Sequence, residues 1–225
     1  MQGFLLALPV LLLSVVAHEY AHGLAALSQG DSTAAQHGRL TFNPIKHIDP
    51  FMSVLLPAML WFGSNGGFVF GGAKPVPVNP RNYRDFKRGD IIVSSAGIVA
   101  NLLLYLAFIA LTVAVGILGK MMPIADGGLS VLQQMCLTGI WLNALLAFFN
   151  LIPIPPLDGS HILIHFLPPE LAKRYRELAR FGFLILLGLM IVFRDQFFLL
   201  LAPAIFATRI AFDLIEPFIL FAAAI

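Results

Sequence analysis

Within an apolar run near the N-terminus stand His18, Glu19 and His22, in the stretch HEYAH. Two histidines four residues apart on a helix share one face, so their imidazoles can bind one metal ion while the intervening glutamate lies beside it. Zinc takes about four ligands, and a catalytic zinc keeps one position for water, whose pKa it lowers to roughly 7. A third protein ligand is then required. A carboxylate beside such a water can serve as general base, which is the chemistry of hydrolysis. The bland alternative is a chance pattern on a solvated helix. It fails on cost, because a charged group at the centre of a membrane helix costs about 2.5–3.5 kcal/mol and is kept there for function.

Candidates for the third ligand are few. Asp31, Asp49, Asp85, Asp90 and Asp126 fall mostly in predicted loops. Asp158 differs, because it ends the run from Asn150 through Pro153, Pro155 and Pro156. Three prolines there forbid a regular helix and free both carbonyls and space for a water-accessible cavity, in which a carboxylate can reach a metal.

HEYAHG at 18–23 and NLIPIPPLDG at 150–159 together resemble the two motifs of the site-2 protease family of intramembrane zinc metalloproteases. GRLTFNPIKHIDP, GGAKPVPVNP and SSAGIVANLLL are also similar to its small prokaryotic members, which lack an accessory PDZ or CBS domain. The resemblance spans most of residues 1–165. It implies one zinc per chain with His18, His22 and Asp158 as ligands, Glu19 as general base, and Asn150 as a polar group near the substrate carbonyl or the attacking water. It further implies hydrolysis of peptide bonds in or near transmembrane segments of membrane-protein substrates, as in regulated intramembrane proteolysis. Ile98 departs from the pattern, which often has proline after Ala-Gly; that bears on packing more than on catalysis.

These residues must be positioned by a membrane domain. Of 225 residues, 59% are hydrophobic and 12% charged, and the mean hydropathy is +0.87. So little polar surface cannot cover a water-facing globule. A single integral-membrane domain over 1–225 is expected, with a catalytic core at about 1–165 and C-terminal helices at 166–225. The net charge of +2 gives no basis for nucleic-acid binding, and the lone Cys136 can form no intrachain disulfide.

The expected fold is an all-α polytopic membrane protein of about five to six apolar helical segments, one of them re-entrant, with a small membrane-associated β element. Residues 4–27 are long enough to cross a bilayer and lack the basic start and cleavage site of a signal peptide. Residues 51–62 are too short to cross and read as re-entrant. Residues 68–80 hold too many prolines and glycines for a helix and suggest a hairpin or edge strand, able to hold a substrate extended by β-addition. Two long spans follow at 91–118 and 130–150. Residues 169–180 look like an interfacial helix with a basic face, and 181–221 form one span or a pair, broken at Arg194-Asp195. With 51–62 re-entrant, eleven of the fourteen basic residues fall on one side. By the positive-inside rule the N-terminus lies outside, and the His18 end of the first helix and Asp158 face the cytosol of a prokaryotic cell membrane.

Other polar residues carry weaker expectations. His161 and His165 repeat the four-residue spacing without an adjacent acid, which favours packing or a supporting bond over ligation. His37 and His47 read as loop or interface residues, and Asn101 as an interhelical hydrogen bonder. The rival functional readings are a membrane metal carrier, which lacks the expected repeat here, and a silent member that binds transmembrane segments without cutting them. The expected partners are a transmembrane protein or peptide substrate and the lipid bilayer, with no nucleic acid; oligomeric state is not legible.

Overall fold

A computed structural model of the chain describes residues 2–56, 59, 62, 72–122 and 126–220. Its helices are α1 (Gln2–Gln29), α2 (Thr33–Gln36), α3 (Phe86–Met121), α4 (Asp126–Leu151), α5 (Asp158–Ile164), α6 (Pro169–Ala179), α7 (Gly182–Val192), α8 (Arg194–Leu200) and α9 (Ala202–Ile215). Three are long and apolar enough to cross a membrane, over Leu6–Gln29, Phe86–Met121 and Gly127–Leu151. The chain is a multi-pass membrane protein.

The centre of the fold is α3, which packs between α1 and α4. It begins at Phe86, five residues before the predicted span, because the Asp85 carboxylate accepts the Arg88 N–H at 2.8 Å and caps the first turn. Asp90 therefore lies in a helix rather than in a loop, and Asp126 is the first residue of α4. One face of α3 is buried through Asp90, Val93, Gly97, Asn101, Phe108 and Thr112, while Leu103, Leu106 and Leu111 are exposed, as lipid-facing residues are. Glycine permits the closest approach: a Cβ on Gly139 of α4 would lie 2.6 Å from the Phe108 ring. Val10, Phe108, Cys136, Ile140, Ala211 and Ile215 fill the core between α1, α3, α4 and α9.

The helical count and the C-terminal stretch need correction. Among the described residues the candidate spans number three, or four if α7 and α8 count as one, fewer than the five to six apolar segments expected. The C-terminal apolar stretch breaks into three short helices, with α7 and α8 bent by 109° at Phe193 and Pro203 opening α9. At 14 residues, α9 rises about 21 Å, short of a hydrocarbon core about 30 Å thick. Of the predicted re-entrant segment, Pro50–Leu55 is a π-helix capped by Asp49, and part of the remainder lies outside the described residues.

The β element is also absent among the described residues; residues 68–71 of that stretch lie outside them. Residues 72–79 are extended, and several of their backbone groups are engaged outside any strand pairing. Gly72 N–H donates to Met52 O at 3.0 Å and Lys74 N–H to His47 O at 2.8 Å. Val76 and Asn79 donate to the carboxylates of Glu19 and Asp31. Arg39 Nη2 donates to the carbonyls of Lys74 and Pro75 at 2.8 and 3.3 Å. Pro75 and Pro77 offer no donor, and no ladder forms among the described residues.

The Pro-rich run after α4 is the other non-helical device. Ile152 and Leu157 anchor it in an apolar cluster with Leu186, Phe197 and Leu201. Tyr175 Oη of α6 donates to Pro153 O at 2.8 Å, and Gly182 lies close enough to Pro155 that a Cβ would sit 2.5 Å away. This packing fixes where α5 begins, and α5 begins with Asp158.

Candidate metal centre

Helical spacing brings His18 and His22 of α1 onto one face, and their Nε2 atoms lie 3.0 Å apart. Asp158 Oδ2, on the first residue of α5, is 3.3 Å from each of them. Among the described residues, these three ligand atoms form a group lying within 4.8 Å of one another. The side chains are 11, 12 and 20% exposed, so the cluster is largely removed from water.

The proton positions follow from the outer partners. His18 Nδ1 lies 2.6 Å from Asn101 Oδ1, and His22 Nδ1 lies 2.7 Å from Val93 O. Both partners are acceptors, so each imidazole donates from Nδ1 and a neutral ring presents its lone pair at Nε2. Two lone pairs and a carboxylate oxygen then converge with no donor between them. Asp158 Oδ2 has no hydrogen-bond partner although it is buried. Such a donor set is electrostatically unfavourable unless a cation joins it, and two nitrogens with one carboxylate oxygen suit zinc. The residues present fit the metal that the sequence implied.

The supporting chain extends deep into the bundle. Asn101 Nδ2 donates to Asn143 Oδ1 at 2.9 Å, Asn143 Nδ2 to Ser14 Oγ at 2.8 Å, and Ser14 Oγ to Val10 O at 2.8 Å. Ser14, Asn101 and Asn143 are fully buried. This relay orients His18 and satisfies each buried amide. The expected interhelical bond of Asn101 is present and also reaches the metal cluster. Ser14, Val93, Gly97 and Asn143 were missed by sequence reasoning. The legible signal was polar or small residues placed one helical turn apart within apolar helices, Ser14 before His18 and Gly97 before Asn101.

Gly97 is the floor of the site. A Cβ there would stand 2.5 Å from His18 Cε1 and His22 Nε2 and 2.6 Å from His18 Nε2. Gly159 is equally constrained, since its Cβ would collide with the Leu151 carbonyl. Gly23, beside His22, lets the loop bearing Leu40 and Val76 lie against α1.

Glu19 Oε2 accepts the Val76 N–H at 2.7 Å, so the extended segment lies directly against the candidate base. Asn150 ends α4 and its Nδ2 donates to Leu146 O at 2.9 Å, within its own helix. His161 and His165 do not join the cluster; they face Asp90, at 3.8 and 2.7 Å. His37 bonds to Thr33 O, and His47 is buried and bonded to Thr41 O.

The sequence pattern of peptidase family M50 matches residues 115–190. YwhC of Bacillus subtilis, named as a zinc metalloprotease, is 38% identical over 181 residues, covering 80% of this chain and 78% of its own length. The chain belongs to peptidase family M50. It is thus a metallopeptidase of the site-2 protease family, as its two motifs suggested. Rip2 of Mycolicibacterium smegmatis, also named as a zinc metalloprotease, is 32% identical over 188 residues, covering 84% of this chain and 67% of that relative. Rip2 of Mycobacterium tuberculosis strain H37Rv is 30% identical over the same length. No solved structure matches this M50 chain.

Proposed function

We propose that this M50 peptidase hydrolyses peptide bonds in or beside transmembrane segments of other membrane proteins. In this reading zinc is held by His18, His22 and Asp158, with Glu19 as general base. The observation that carries it is the convergence of the two Nε2 atoms on the unpartnered, buried Asp158 Oδ2. When bound, zinc polarises the scissile carbonyl and makes water nucleophilic near neutral pH.

The protein groups do the rest. His18 and His22 keep their Nδ1 protons on Asn101 and Val93, which fixes the ring planes. Glu19 is held at Oε2 by Val76, leaving Oε1 to take a proton from the attacking water. That proton passes to the departing amine nitrogen as the C–N bond breaks. Asn150 stands before the proline run and reaches the substrate carbonyl or the water by giving up its bond to Leu146.

The depth of the site supports a membrane-embedded substrate. His22 lies seven residues before the end of α1, about 10 Å along the axis, below the level where the span ends. The basic loops cluster beyond that end, so the site opens toward the cytosolic side.

The decisive comparison is zinc content and cleavage of a model transmembrane substrate by wild type and by Glu19→Gln. Glutamine keeps the three ligands and can still accept from Val76, but it cannot shuttle a proton. About one zinc per chain in both, with cleavage reduced at least ~100-fold in the variant, is expected. Equal cleavage by both would remove Glu19 from the chemistry, and zinc absent from both would remove the ligand assignment.

A further inference from the structure

α5 is only seven residues long, yet it carries one of the three converging side chains. Its first turn is set by the proline run and by Gly159 against Leu151. A short helix held at one end can still swing at the other, and any swing moves the Asp158 carboxylate relative to α1.

The far end is held by a buried pair. His165, the C-cap residue of α5, places Nε2 at 2.7 Å from Asp90 Oδ2, with side chains 9 and 10% exposed. The His165 ring also meets Phe86 edge-on at 5.7 Å between centroids. His161 Nδ1 is 3.8 Å from Asp90 Oδ1 on a side chain 58% exposed, an ion-pair distance rather than a hydrogen bond. The strong link from α3 to α5 is therefore Asp90–His165.

Asp90 is also the first member of a stripe. Asp90, Val93, Gly97 and Asn101 follow one another at three- and four-residue spacing and so share one face of α3. Val93 receives His22, Gly97 lies under both imidazoles, and Asn101 receives His18. Asp90 adds the remaining connection, to the helix that bears Asp158. One face of one helix thereby contacts both imidazoles and the helix that bears Asp158.

We infer that Asp90, through His165, is a positioning residue that sets the Asp158 carboxylate against His18 and His22. The inference rests on the metal-site reading above. Loss of the pair leaves all three ligands in the chain but lets the third drift, which raises metal loss and slows the chemical step without touching substrate contacts.

The test is the rate at which purified, zinc-loaded protein loses zinc to an excess of chelator. It compares wild type, Asp90→Ala, His165→Phe and their double variant. His165→Phe keeps an aromatic ring against Phe86 and removes the ring nitrogens, so it carries the test if Asp90→Ala does not fold. Asp85→Ala, which removes the α3 cap alone, controls for weakening of the same helix. Zinc release about ten-fold faster in both single variants is expected, the lower end for groups that orient metal ligands. The double variant should be no worse than either single one. On a model transmembrane substrate kcat should fall with KM unchanged, while Asp85→Ala keeps wild-type zinc release. Wild-type release in Asp90→Ala or in His165→Phe overturns the inference. Wild type that binds no zinc at all overturns the metal-site reading instead, and is distinguished by its own metal content.

Discussion

His18 Nδ1 lies 2.6 Å from Asn101 Oδ1, across 83 residues of sequence, and that contact decides which nitrogen of His18 faces Asp158. Because Asn101 Oδ1 can only accept, Nδ1 carries the proton and Nε2 presents a lone pair. The same amide donates onward to Asn143, so His18 is oriented by a relay rather than by one bond.

Asn101→Leu keeps the branched shape while removing both ends of that exchange. Zinc affinity is expected to fall about 10–100-fold, measured by competition with a chromogenic chelator. The Asn143 amide, left buried without its donor, should also lower the thermal midpoint. Unchanged zinc affinity would show that His18 needs no help to hold its ring.

Gly97→Ala probes the floor of the site. With a new Cβ 2.5 Å from His18 Cε1 and His22 Nε2, the imidazoles or α3 must shift. Zinc content is expected to drop well below one per chain while the helical signal in circular dichroism stays near wild type. Full zinc occupancy in Gly97→Ala would mean that α3 and α1 separate more easily than their packing implies.

Gly159→Ala disturbs the Asp158 carboxylate from behind. Its Cβ would collide with the Leu151 carbonyl, so the start of α5 and the Asp158 carboxylate must move together. Cleavage is expected to fall by about ten-fold or more, with His18 and His22 unaltered. Wild-type turnover would show that Asp158 tolerates a displaced helix start.

Asp31 ties down the extended segment that reaches Glu19. Its oxygens accept from Asn79 N at 2.6 Å, Thr33 N at 3.1 Å and Asn82 Nδ2 at 2.8 Å. Burial pushes its pKa up, but the hydrogen bonds from Asn79, Thr33 and Asn82 outweigh this and hold the carboxyl below its ordinary value. Its stabilising contribution is thus present above the unfolded-state pKa of about 3.9 and is lost as pH falls through the lower folded value. Asp31→Asn should lower the thermal midpoint near neutral pH, by an amount corresponding to roughly 1–3 kcal/mol. The gap from wild type should narrow as pH drops below about 4. A gap independent of pH would assign the effect to shape rather than to charge.

Much of the site is legible because it is local. The spacing of His18 and His22 places them together on any helix, and the apolar run around them specifies that helix and the bilayer that holds it. The prolines after Asn150 likewise mark a break wherever they occur, and Asp158 follows at its end. The motif pair was enough to indicate the family.

Other features depended on partners distant in sequence. Asp90 reads as a loop acid until the Asp85 cap moves the start of α3, and its pairing with His165 spans 75 residues. Residues 68–80 read as a hairpin or edge strand by composition, but over 72–79 Glu19, Asp31, Arg39 and loop carbonyls take several of the backbone groups a pairing would use. The C-terminal apolar run had the composition of a span, yet its bend at Phe193 comes with Leu186, Phe197 and Leu201 packing onto the proline loop. Sequence alone determined which side chains could bind a metal, because helical periodicity and the energetics of burying charge are local. Tertiary packing decided the rest, because proton placement and the final ångströms between donor atoms are set by helices brought close at glycines.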